Sequence, residues 1–380
     1  MSSRDLWRDH GRALPPAAPR RTLATDLLAA VYAQDFGNTP DGWHGGAPVT
    51  HFPSIDLAVV GFPANAANAV KASTAAAPRF ANVLFSREHP QGVMAHIGPT
   101  AGAVQNIRFD ADVQDAKGNS IAWQAGRHWK QMTWRPLLKP PAGQGPTRFV
   151  APYPASLLKL LVAVGVGLAI DRGLLAAWPD EVEPMIVVSD NDATTACVAL
   201  LHRLGLTDEL NACFKRLGLA TLQINHTTPA GGWRNADGSG VGHIHMTAWD
   251  TVRLLWLLDA AAPPPPWLPA GTVLLGDATR AHLHGVLQRQ QLDQVLSSGS
   301  LRGQPGWVAG LPDAPAFAHK TGNTDNYAAD AGIVNLGRTH YIVALLSSLG
   351  QRYAPHGACA TPWRVPALGA AVHRLMETLT

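Results

Sequence analysis

The feature that most restricts this chain is the stretch from Ala151 to Gly173. Two prolines, Pro152 and Pro154, lead into Ala155-Ser156-Leu157-Leu158-Lys159, and an apolar run from Leu160 to Ile170 follows. The run is too short to span a bilayer, and its proline-rich start and glycines in the middle suit a helix buried in a core. Prolines fit an irregular approach and a first helical turn, so a helix is expected to begin around Ala155. Three residues along a helix is just under one turn, which puts the Ser156 hydroxyl and the Lys159 amine on one face. Ser156 then lies among unpaired N–H groups at the positive end of the helix dipole, a place that favours negative charge. A serine hydroxyl is a weak nucleophile until a neighbour takes its proton. A lysine can do so only when burial or nearby positive charge holds it neutral.

With 380 residues, 46% of them hydrophobic, the chain has material for one large domain or two ordinary ones. A net charge of +3 with scattered arginines leaves no nucleic-acid footprint. Cys197, Cys213 and Cys359 cannot all pair and lack metal-type spacing, so buried free thiols are expected. His243-x-His245 and His282-x-His284 lack a third ligand, and the second pair falls on a predicted helix, so neither a metal nor another cofactor is expected. Met1 to Arg21 is polar and arginine-bearing with no apolar stretch behind it, so no export signal is legible.

Along the chain, Thr22 to Tyr32 has helical spacing, Leu57 to Val60 is a short strand candidate, and Ala64 to Ala77 is alanine-rich enough for a helix. No chemistry attaches to residues 1–105, which are expected to be an N-terminal extension or small accessory region. Ile107 to Val113 and Ser120 to Gln124, joined by a turn at Asp115 to Gly118, are a predicted hairpin. Helices are predicted at Ser156–Arg172, Asn191–Leu204, Thr207–Leu217, Thr247–Leu258, Asp277–Gln288 and Gln291–Ser297. Strands at Ala316–Lys320, Ala328–Asn335 and His340–Ser347 form a predicted antiparallel meander, closed by a helix at Pro366–Thr378.

Ser-x-x-Lys occurs once in the chain, and lysine is scarce, seven of thirty basic side chains. Ser189-Asp190-Asn191 follows it, and His319-Lys320-Thr321-Gly322 comes later. Each signature alone has an ordinary reading: a helix cap with a snorkelling lysine, an N-cap cluster, a strand ending in a turn. Ser-x-x-Lys, Ser-Asp-Asn and Lys-Thr-Gly in that order resemble the motif set of class A β-lactamases and penicillin-binding proteins, the penicillin-recognising serine hydrolases.

The resemblance implies an α+β, β-lactamase-like fold over residues 106–380. In it a helical lobe at about 150–260 sits between sheet parts at 106–149 and 261–380. It implies an acyl-enzyme chemistry with Ser156 as nucleophile, Lys159 as base, Ser189 relaying a proton to the leaving nitrogen and Lys320 supplying positive charge. Asn191, Thr321, Gly322 and Asn323 are the implied substrate-binding residues, with the backbone N–H groups of Ser156 and Asn323 as the oxyanion hole. Asp190 is expected to cap the helix beginning at Asn191. The substrate implied is a β-lactam, a D-alanyl peptide or a related amide or ester, a small molecule or a peptidoglycan-type strand. The family usually works in the periplasm or outside the cell. Ser156 and Ser189 are only 33 residues apart, and Thr221 to Trp249 contains no glutamate where class A enzymes carry their deacylation base. Asp237, inside a turn-like segment, and His226 are the remaining candidates. The alternatives are therefore a slow-turnover penicillin-binding or sensor-type module, or an esterase or secondary-metabolism enzyme on the same fold.

Overall fold

The computed structural model describes residues 22–50, 52–63, 77–86, 89–94, 152–225, 227–233 and 244–379, with the backbone of 107–110, 134–136 and 149–150. Its centre is an antiparallel sheet of β1 (Ile55–Gly61), β2 (Arg79–Phe85), β3 (Val93–Met94), β4 (Phe317–Asn323), β5 (Ala328–Leu336) and β6 (Thr339–Ser347). Across the sheet the order is β4-β5-β6-β1-β2-β3, which leaves β4 at an edge. Every residue of β1 is buried because helices cover both faces. Alternation along the strands divides the core in two. Leu57, Val59, Val343 and Leu345 face one way, onto α1 (Leu23–Tyr32) and α8 (Arg364–Glu377). Ala58, Val60, Ala344 and Leu346 face the other way, towards the helical lobe.

The lobe comprises α2 (Lys159–Asp171), α3 (Val182–Val187), α4 (Asn191–Arg203), α5 (Thr207–Arg216), α6 (Ala248–Leu258) and α7 (Asp277–Leu287). α2 is buried from Lys159 to Ala169, the all-round apolar helix that its composition demands. Asp190 caps α4 as expected, its Oδ1 accepting from the Ala193 N–H at 2.6 Å. None of the helices among the described residues is long and apolar enough to cross a membrane. The three cysteines are free and buried.

Four expectations need correction. Residues 55–61 and 79–85, placed by the sequence reading in an N-terminal extension, belong to the central sheet, because β1 pairs with β6 along its whole length and β2 pairs with β1. These partners lie nearly 300 residues apart in one case, out of reach of local pattern reading. Ile107–Asp110 does not pair into this sheet; it joins Trp134–Pro136 and Phe149–Val150 in a separate three-stranded one. The rest of the predicted hairpin, like residues 64–76 of the predicted alanine-rich helix, lies outside the described residues. Ser156 sits on a 3₁₀ turn, Ala155–Leu158, that precedes α2 rather than in its first α-helical turn. Finally, Gln291–Ser297 is not helical. Side chains take its backbone and polar groups instead: the Leu296 N–H donates to Asp330 and the Ser297 hydroxyl to Asp293.

Candidate active site

Three elements meet at the cleft between sheet and lobe: the 3₁₀ turn with Ser156, the loop at Ser189 that opens α4, and the edge strand β4. Gly322 on β4 lies directly against the turn. A Cβ built on it would come within 2.4 Å of the Pro154 carbonyl oxygen, 2.7 Å of the Leu157 nitrogen and 2.9 Å of the Ser156 nitrogen. Only glycine allows this approach. Ser156 itself is half-buried, with its turn closed by the Leu157 N–H donating to Pro154 at 3.1 Å.

Lys159 is fully buried, and its Nζ lies within bonding distance of four acceptors on the Ser189 loop. It donates to the Ser189 carbonyl at 2.5 Å, Asn191 Oδ1 at 2.8 Å, Ser189 Oγ at 3.1 Å and the Asp190 carbonyl at 3.3 Å. Lys320, equally buried, donates to the same Ser189 Oγ at 3.1 Å and to the Thr321 carbonyl at 2.7 Å. A hydroxyl has two acceptor lone pairs and one proton. With both lone pairs taken by lysines, the Ser189 proton is left to point at a third partner. Burial, and then the neighbouring Lys159 amine, push the Lys320 amine well below the usual lysine range, with Asp330 partly offsetting them. The site thus holds two amines and a shared hydroxyl beside a serine.

Backbone strain gathers at the same place. Of the three non-glycine residues with positive φ among the described residues, two are Ala155 (φ 49°) and Ser189 (φ 59°). Each adopts the left-handed region at a cost of about 1–2 kcal/mol. Both orient a side chain next to or within the site.

The sequence-derived residues are therefore brought together. Lys159, Ser189, Asn191 and Lys320 share one hydrogen-bonded network, and Ser156, Thr321 and Gly322 adjoin it. Asn323 ends β4, with its Oδ1 buried and unpartnered among the described residues. Of the candidates for a deacylation base, His226 and Asp237 lie outside the described residues.

Two further residues had no individual signal in the sequence. Trp233 places its ring centroid 5.6 Å from Lys159 Nζ and donates to Thr195 Oγ1 at 3.3 Å. With Asn191, Asp192, Thr195 and Gly232 it lines a pocket of about 150 Å³. One tryptophan among twelve carried no mark of this role. His319, on the face of β4 away from the cleft, is fully buried and bonded to Asp330 at 2.8 Å and Asp293 at 3.1 Å.

The family model described as the β-lactamase enzyme family matches residues 169–360, just over half of the chain, a span that includes Ser189, Asn191 and Lys320 and starts ten residues after Lys159. No curated protein matches the chain. Similar solved structures include a β-lactamase from Sphaerobacter thermophilus, 13% identical over 93% of this chain and 97% of that one, with a TM-score of 0.47. PBP-A is 15% identical over 95% and 97% of the two chains, with a TM-score of 0.43. A class A β-lactamase from Bacteroides cellulosilyticus is 19% identical over 60% and 85%, with a TM-score of 0.40. With the family model covering more than half its length, the chain belongs to the β-lactamase enzyme family and is a β-lactamase-like serine hydrolase.

Proposed function

We propose that the chain forms an acyl-enzyme at Ser156 on a β-lactam, a D-alanyl peptide or a related amide or ester. The observation that carries this reading is the single Ser189 Oγ held at 3.1 Å by both the Lys159 and the Lys320 amines, beside a serine turn against which Gly322 is pressed. In the reaction, Ser156 Oγ attacks the substrate carbonyl as its proton passes to Lys159 acting as the base. The N–H groups of Ser156 and Asn323 stabilise the oxyanion. As the tetrahedral intermediate collapses, the carbonyl carbon–nitrogen bond breaks and Ser189 delivers its free proton to the leaving nitrogen. That proton is replaced through Lys159. Lys320 and Thr321 hold the substrate carboxylate, and Asn191 orients its amide.

A second reading concerns the next step. An indole lies against Lys159, and residues 221–249 contain no glutamate to activate water. Both favour an acyl-enzyme that persists, which makes the protein a slow-turnover penicillin-binding module. The decisive experiment is intact-mass analysis after incubation with a penicillin. A stoichiometric adduct on the wild type, absent from Ser156→Ala, supports acylation, and no adduct with penicillins, activated esters or fluorophosphonates defeats it. Turnover of nitrocefin, set against a burst without turnover, separates the two readings.

A further inference from the structure

His319 stands one residue before Lys320, so its side chain leaves the opposite face of β4 and the mechanism makes no use of it. Its ring stacks on Phe317 with centroids 4.1 Å apart, and Gly332 on β5 makes room, since a Cβ there would come within 2.4 Å of the His319 Cβ. Both ring nitrogens meet carboxylates: Nδ1 faces Asp330 Oδ1 at 2.8 Å and Nε2 faces Asp293 Oδ1 at 3.1 Å. A neutral imidazole has one N–H and cannot donate to both, whereas an imidazolium can.

The surroundings settle which form fits. Asp330 Oδ2 also accepts from the Leu296 N–H, and Asp293 Oδ1 from the Ser297 hydroxyl and the Ala314 N–H, so both carboxylates are held as acceptors. Burial on its own would depress the imidazole, but the two aspartates outweigh it and hold the ring proton up to about 9. The other charges around it are Asp313, which pairs with Arg302 at 2.8 Å, and, through the strand, Lys320 and then Lys159.

We propose that His319, held as a buried imidazolium between Asp293 and Asp330, is a positioning residue for Lys320, and that loss of its proton sets the alkaline limit of acyl-enzyme formation. This rests on the reading of Ser156 as the acylated residue. When the ring loses a proton, one carboxylate loses its donor and the cluster goes from one net negative charge to two, around a ring and an Asp330 side chain that are fully buried. The repulsion acts between β4, β5 and the segment at 290–314. Asp330 also draws harder on the Lys320 amine. Both effects move Lys320 off Ser189 Oγ.

The test measures the rate of Ser156 acylation by a fluorescent penicillin from pH 6 to 10.5, each variant scaled to its own plateau, together with the imidazole ¹⁵N shifts. In the wild type both nitrogens are protonated at pH 7.5, and the rate falls as the ring titrates. Asp293→Asn removes one of the two carboxylates and leaves Lys159 and Asp330, the groups acting on Lys320, in place. It should move both the ring titration and the alkaline limb down together by about one pH unit or more. His319→Gln should lose that limb; should it fail to fold, the Asp293 variant carries the test. A limb that stays put in Asp293→Asn, or a ring that titrates at the ordinary histidine value in the wild type, overturns the proposal. Absence of any adduct on the wild type at pH 7 defeats the underlying reading of Ser156 instead.

Discussion

Replacing Gly322 by alanine tests whether the cleft is assembled as described. The substitution adds one methyl group, and the structure says what it meets: backbone atoms of Pro154, Leu157 and Ser156 at 2.4, 2.7 and 2.9 Å. None of these is the free end of a flexible side chain. Relief to ordinary contact, 3.4 Å, needs roughly 1 Å of separation between β4 and the serine turn. β4 is held by seven paired residues of β5, and the turn continues straight into the buried α2, so neither side gives way alone. Over-packing of this kind costs about 1–3 kcal/mol of stability. The larger effect falls on chemistry, because a misplacement near 1 Å of a reacting group costs on the order of 10²-fold in rate. The assay is the rate of penicillin labelling at Ser156, read beside thermal unfolding. Gly357→Ala is the control, since nothing lies within 4 Å of a Cβ at that position; it should leave both measurements unchanged. A Gly322→Ala protein that folds and labels at the wild-type rate would refute the contact between strand and turn.

Other outcomes follow from the same geometry. Ser156→Ala abolishes the penicillin adduct in intact-mass analysis while keeping the wild-type circular dichroism; an adduct that survives places the nucleophile elsewhere. Lys320→Arg should not rescue: a guanidinium is larger and always charged, and the site is fully buried, so labelling falls by about 10²-fold or more. Labelling at the wild-type rate would show that a fixed positive charge is all the site asks for. Asp190→Ala removes the acceptor of the Ala193 N–H and lowers stability by about 1 kcal/mol in denaturant titration; an unchanged midpoint removes the cap. Stability also depends on His319 with a definite sign. Its proton is held up to about 9 in the folded chain against 6.5 unfolded, so its contribution is complete below pH 6.5 and is lost as pH rises through about 9. The wild type should lose roughly 3 kcal/mol more than His319→Gln across that window. Parallel pH profiles for the two proteins would contradict it.

How much of this was legible in the sequence follows from where each piece of information lies. The order Ser156-x-x-Lys159, Ser189-Asp190-Asn191, Lys320-Thr321-Gly322 could be read because the proposed acyl transfer demands particular residue types, and each signature sits at the start or end of an element that announces itself locally. The Asp190 cap is one such local signal. The meander β4 to β6 was legible because its strands are sequential and their connections short. What could not be read is non-local. β1 looks like a short apolar run with no partner until it is laid beside β6, and its apolar face gives no hint of which strand that is. His319 and Asp293 sit 26 residues apart and become an ion cluster only when β4 is docked on an irregular segment whose helical pattern is overridden by side-chain acceptors.

The least legible feature is also the one that bears most on chemistry. Neither alanine nor serine prefers the left-handed region, and nothing in Pro154-Ala155-Ser156 or Val188-Ser189-Asp190 asks for it. The conformations at Ala155 and Ser189 are imposed by what surrounds them. Such strain, of order 1–3 kcal/mol per residue, persists only where the frame over-determines it. Here the frame is identifiable: Gly322 backs the Ser156 turn, Lys159 is fixed within α2, and its Nζ binds the Ser189 carbonyl and hydroxyl together. Pointing both oxygens of one residue at a single amine is what turns Ser189 out of the ordinary helical or extended range. The strain at Ser189 is therefore the cost of having its hydroxyl reach two lysines at once, and an alanine there would leave Lys159 with the Ser189 and Asp190 carbonyls and Asn191 while taking from the buried Lys320 one of its two acceptors.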